Sequence, residues 1–234
     1  MPDSAAPVLV FSAVTSTMWV ATLAWSMSRK RGDERWYNVF ILIVATFAWW
    51  LGECAAIRLG KYQYSANFPT WLALPFRGSP SEPDWLSRGL HWLTSLLGLP
   101  HVEGCHPPQA SWNIPFPIVA LEACLVFAFL RLSFFRLRNK GRSAAFAAAS
   151  FSAVLMVTLA AILDPVVSTG QWCGPYADPG YHGLTGFELW HWFTDKTYTG
   201  YWFGVPSVNY VAWFVGMGTF SYLCLLYTSP SPRD

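Results

Sequence analysis

The sequence predicts an all-α fold: a polytopic bundle of about five transmembrane helices in this fragment, with its N-terminus outside. Three observations carry that expectation. Hydrophobic residues make up 53% of the chain and charged residues 12%, about half the charged share of a soluble domain. Apolar runs of roughly 20 residues recur along the chain, each long enough to cross a bilayer. The cations crowd into two short links between those runs.

The first run spans Ala6 to Met27. Only Asp3 precedes it as a charged residue, and the run is too long for a signal-peptide core, so it reads as a retained helix. Ser28 to Arg35 then carries four cations. The second run is Trp36 to Ile57, with Glu53 and Cys54 near its far end. The third runs from about Ile114 to Phe135, entered through Ile114-Pro-Phe-Pro117 and carrying Glu122. A basic link, Arg136 to Arg142, leads to the fourth, Ser143 to Leu163. Asp164-Pro165 follows, a pair that commonly ends a helix. The fifth run starts near Pro206.

Nine of the fourteen Lys and Arg before Cys224 lie in or beside the two links, counting Arg131. The rule that cytoplasmic loops are cation-rich puts both links inside the cell. The long loops 58–113 and 164–205 then face out. In the first of these, Trp85 to Leu99 has the apolar spacing of a short helix lying on the membrane surface. A re-entrant segment around Trp71 to Phe76 is the rival. Residues 1–223 read as a single helical domain. Cys224 to Asp234 resembles a sequencing adapter translated in frame and is expected to be a non-native tail.

Three carboxyl groups belong to the membrane segments: Glu53, Glu122 and Asp164. At ~1.5 Å rise per residue, Glu53 lies ~6 Å and Glu122 ~12 Å below the outer ends of their helices. Asp164 sits at the outer end of the fourth. Polar groups at such depth cost several kcal/mol unless they have a partner or a task. They could therefore line one cavity opening outward, where a protonated acid can serve as proton donor. The competing reading is that each is hydrogen-bonded in the bundle and holds helices together.

The tryptophans Trp49, Trp50, Trp172, Trp190, Trp192, Trp202 and Trp213 fall near outer helix ends or in outer loops. An interfacial aromatic belt explains that pattern unaided. A subset could line a slot for a flat apolar substrate or stabilise a carbocation. All five histidines map to the outer side. His101, Cys105 and His106 could hold one metal ion, but surface histidines are the simpler reading and no metal is expected. Cys105 and Cys173 could pair if that side is oxidising.

Several classes are excluded. A net charge of +2 and the lack of a basic stripe argue against nucleic acid. Lys30, Lys61, Lys140 and Lys196 all lie outside mid-membrane, which argues against a retinal Schiff base. No phosphate loop, His-Glu-x-x-His or Gly-x-Ser-x-Gly occurs.

A succession of short motifs carries a resemblance. Gly52-Glu53 is followed by Gly60-Lys-Tyr62-Gln-Tyr64 and then by Ile114-Pro-Phe-Pro117. Leu163-Asp-Pro-Val166, Gly170-Gln-Trp172, Gly200-Tyr-Trp-Phe-Gly-Val-Pro206 and Asn209 complete it. In order and rough spacing, from Trp49 to Trp213, these residues resemble the prokaryotic carotenoid biosynthesis membrane proteins, which include carotenoid hydratases. The loop from Phe76 to Ser111 looks like an insertion relative to that pattern, Glu122 stands where an apolar residue is expected, and helices beyond the fifth are lacking.

The resemblance implies water addition to a terminal C=C of an acyclic carotenoid, at a prokaryotic plasma membrane and without a cofactor. Asp164 or Glu53 would give the proton, and Asn209 or the second carboxylate would orient the water. Trp49, Tyr62, Tyr64, Trp172, Trp202 and Trp213, with Glu122, would bind the apolar isoprenoid. The reading from another class is a non-enzymatic membrane protein (a transporter, an assembly factor or a lipid or carotenoid binder) with structural carboxylates.

Overall fold

A computed structural model describes residues 5–30, 32–58, 62–64, 68, 73–74, 114–137, 141–172, 189–194, 201–202 and 205–228. Five long helices make up most of it: α1 (Ala5–Met27), α2 (Gly32–Arg58), α3 (Phe116–Leu137), α4 (Gly141–Val167) and α5 (Ser207–Thr228). Helices α1, α2, α4 and α5 are each long and apolar enough to cross a membrane. Their outward residues are large and greasy, among them Val10, Phe40, Phe47, Phe151 and Val211, as helices facing lipid require.

Helix α3 is the enclosed member and packs on α1, α2, α4 and, more lightly, α5. Val119, Ala120, Ala123, Val126 and Leu130 on it are almost wholly buried. That position explains how it carries Glu122 and Arg131, because neighbouring helices rather than lipid surround them. Pro117 lies in its first turn, where a missing N–H leaves no bond unmade.

Helices α4 and α5 form the closest pair. Ala145, Ala148, Ala149, Ser152 and Ala153 are all buried on α4. A methyl group placed on Gly218 of α5 would meet Cβ of Ala153 at 3.7 Å. Small side chains let the two backbones approach, and van der Waals contact then holds them where no hydrophobic force separates helix from lipid. Gly141, which opens α4 directly after the short link, has φ +80°, a conformation that costs little only for glycine.

Four threonine hydroxyls in the helices are satisfied locally. Thr15, Thr22, Thr46 and Thr158 each donate to the carbonyl four residues back. Trp19 Nε1 also donates to Thr46 Oγ1 at 3.0 Å, tying α1 to α2. At the end of the bundle bearing the short links, Arg131 of α3 reaches Glu34 at 2.9 Å and Asn38 at 2.7 Å, both on α2. Its guanidinium also lies 4.4 Å from the ring centre of Trp25 on α1.

Short strands gather at the other end. Strands β1 (Tyr62–Tyr64), β4 (Ser168–Trp172) and β5 (Trp190–Thr194) form one sheet in the order β1-β5-β4. In it β5 runs antiparallel to β1 and parallel to β4. Two small ladders pair β2 (Ala73–Leu74) with β3 (Ile114–Pro115) and β6 (Tyr201–Trp202) with β7 (Val205–Pro206). Tyr64, Phe68, Ile114, Leu189, Trp192 and Val205 build a second apolar core here, joined by Val8 and Cys54.

The five helices cover the apolar runs, and several of their ends differ from expectation. The fourth does not stop at Leu163 but continues through Asp164 and Pro165 to Val167. A proline there leaves the carbonyl of Ala161 without its helical donor. Trp202 Nε1 supplies one instead, at 3.0 Å. The strands themselves are too short for a sequence pattern to announce. Helix α5 also runs five residues past Leu223, with Leu225 buried. The surface helix expected over 85–99, Cys105, Cys173 and every histidine but His191 lie outside the described residues.

Candidate functional site

Four helices and one strand bring polar side chains to a single chamber at the strand-bearing end. Glu53 enters from α2, Glu122 from α3, Asp164 from α4, Asn209 from α5 and Tyr64 from β1. Each helix contributes from within about two turns of its end, so the chamber sits beneath the strands. The three acids are 8–9% exposed, which places them inside protein rather than at a wet surface. The cavity they share measures about 40 Å³ and is closed by Ile118, Trp190, Trp192 and Trp213. A water needs roughly 10–15 Å³ on that measure and two to four polar partners, so the chamber has room for at least one.

The partners are specific. Asn209 Nδ2 donates to Asp164 Oδ2 at 2.6 Å, which fixes the amide and the carboxyl across the α4–α5 seam. The Tyr64 hydroxyl donates to Glu53 Oε2. Glu122 lines the same small cavity as Glu53 and Asp164. One oxygen of Glu122, Oε2, is buried and accepts no bond from the described residues. A buried acceptor left open is costly unless something else fills it.

Around this centre the backbone is held in place by Ser168. Its hydroxyl donates to the carbonyl of Asp164 and accepts from Trp192 Nε1 at 3.1 Å. The backbone N–H of Leu189 adds a bond to the Val167 carbonyl at 2.8 Å. The last turn of α4, which carries Asp164, is thus tied to β5. Trp190 and Trp192 alternate along β5 and both reach the chamber, as side chains two apart on a strand share a face.

Comparison of the chain with protein-family models, with curated proteins and with solved structures finds no match in any of the three. The geometry therefore stands by itself.

Of the residues singled out from sequence, Asp164, Glu53, Asn209, Glu122, Tyr64 and Trp213 meet at the chamber. Trp49 lies beside it, stacked on Trp213 with ring centres 5.7 Å apart and 29° between planes. Trp202 does not join them: it is 52% exposed, and its indole serves the Ala161 carbonyl. Tyr62 and Trp172 lie on β1 and β4, and their side chains are outside the described residues. Trp190, Trp192 and Ser168 are site residues that sequence reasoning assigns only to a loop or an interfacial belt. The alternation Trp190-His-Trp192 is the one signal that could have found them. Among the described residues, no group of His, Cys, Asp and Glu stands in a metal-binding arrangement.

Proposed function

We propose that this chain is a membrane enzyme that adds water to a terminal C=C of an acyclic isoprenoid, of the carotenoid class. The observation that carries the proposal is the meeting of three buried carboxyl groups and an amide around a water-sized chamber walled by indoles.

Glu53 is the acid placed to meet the alkene, because it also lines an apolar groove between α2 and α5. Its O–H bond breaks as a C–H bond forms at the less substituted alkene carbon, leaving a tertiary cation. The indole faces of Trp213, Trp190 and Trp192 stabilise that cation through their negative face potential. A water beside Asp164, whose carboxyl Asn209 orients, attacks the cation and passes a proton to Asp164. Glu122 lines the chamber with both other acids and returns the proton from Asp164 to Glu53. The net change is one water added, with no redox step.

Expression in cells that accumulate lycopene tests the reading. A product heavier by one water supports hydration, and an unchanged pigment profile counts against it. Glu53→Gln and Asp164→Asn should each abolish the product with the same amount of protein in the membrane. The second reading, carboxyl groups that only pin helices together, draws on the Asn209–Asp164 and Tyr64–Glu53 bonds. It expects both variants to deplete the membrane of protein.

A further inference from the structure

We infer that the cleft between α2 and α5 is a lateral portal through which the end of an acyclic polyene reaches the chamber from within the bilayer. This inference rests on the hydration reading for the identity of the occupant, and on the following geometry for the route. The two helices do not close on one another along their length. They meet through Trp49 of α2, which lies against Trp213 and Phe220 of α5. Beside that contact is a groove of about 270 Å³.

The groove is open because its walls are small. Ala48, Gly52 and Ala56 recur every four residues on α2, and Ala212 and Gly216 do so on α5. Residues four apart on a helix share a face, so each wall is a stripe of backbone and methyl groups. A Cβ placed on Gly52 or Gly216 meets nothing within 4 Å. Both helices are apolar enough to span a membrane, and the side chains beside the groove, including Leu51 and Val215, are exposed where lipid would lie.

The inner end of the groove is not apolar. Glu53, Asn209 and Trp213 line both the groove and the carboxyl chamber, and Glu122, whose buried Oε2 accepts no bond from the described residues, lines that chamber. A passage from lipid to a cluster of buried carboxyl groups suits a ligand whose terminus takes part in proton chemistry. A saturated lipid tail gains nothing from those groups. The stacked indoles of Trp49 and Trp213 line the groove with flat faces that suit a thin conjugated chain.

Filling the groove tests this directly. Wild type, Gly52→Leu and Gly216→Leu are placed in lipid nanodiscs with lycopene and repurified, and the retained polyene is read by absorbance. Replacing glycine by leucine inside a helix favours the helix, and the open space beside each glycine accepts the new side chain, so the variants should match wild type in membrane content. Wild type should retain polyene, and each leucine variant should retain about tenfold less, with Gly52→Ala between them. Equal retention in all four proteins overturns the portal, as does a wild type that retains none. Retention of phospholipid in place of polyene, or a wild-type dimer that the leucine variants split, assigns the groove to another occupant and also overturns it. Polyene retained by wild type and lost in the variants, with no hydrated product from any of them, supports the portal and removes the hydration reading instead.

Discussion

Glu122 shows how far one side chain's meaning depends on its neighbours. By sequence it is an acid where an apolar residue is expected. In the structure it lines the same chamber as Glu53 and Asp164, and its buried Oε2 accepts no bond from the described residues. If it returns the proton, Glu122→Gln should lower product formation about 10²-fold with unchanged protein in the membrane, measured by pigment extraction. Wild-type conversion in that variant would remove Glu122 from the cycle. Pro165 makes a similar point about backbone groups. The carbonyl it leaves open at Ala161 is satisfied by Trp202, so a residue that sequence places in a substrate slot completes a helix.

At the scale of elements, the α4–α5 pair is held by close approach. Gly218 faces Ala153 with room for one methyl group at ordinary contact distance. Gly218→Ala should therefore leave thermal stability nearly unchanged. Gly218→Leu overfills the seam and should cost about 1–3 kcal/mol, read as a lower Tm in detergent. It should also weaken the Asn209–Asp164 bond, which crosses the same seam. The contrast with Gly216, two residues away and open on its outer side, separates a packing glycine from a groove glycine on one helix. The sheet order β1-β5-β4 matters here too, since it places Tyr64 and both β5 tryptophans over the ends of helices distant in sequence.

Across the whole molecule, two layers stabilise the bundle from opposite ends. The carboxyl chamber and its strands close one end, and the Arg131 cluster closes the other. Arg131 bridges α3 to Glu34 and Asn38 on α2 and to Trp25 on α1. Arg131→Ala leaves Glu34 with Arg29 at 3.2 Å and strips Asn38 of a donor. The group is partly exposed, so the loss should be on the order of 2 kcal/mol, seen as a lower thermal midpoint without a selective effect on product. Orientation is open to labelling. Single cysteines at Ser28 and Arg142, both exposed at the short links, should react with a membrane-impermeant reagent only after the cytoplasmic side is opened. Labelling in sealed cells would reverse the topology.

The apolar runs and the placement of cations are local properties of the chain. They were enough to anticipate a bundle of five helices, four of them long and apolar enough to cross a membrane, and the approximate span of each, because hydrocarbon thickness sets helix length. Which acids meet in the chamber was decided by tertiary packing alone. Glu53, Glu122, Asp164 and Asn209 come from four helices whose rotation about their own axes no run of apolar residues records. The same holds for the strand that carries Trp190 and Trp192, for the extension of α4 past Pro165, and for the groove beside Gly52 and Gly216. Each depends on a partner far away in sequence, and a hydrogen bond or a void exists only once both sides are in place.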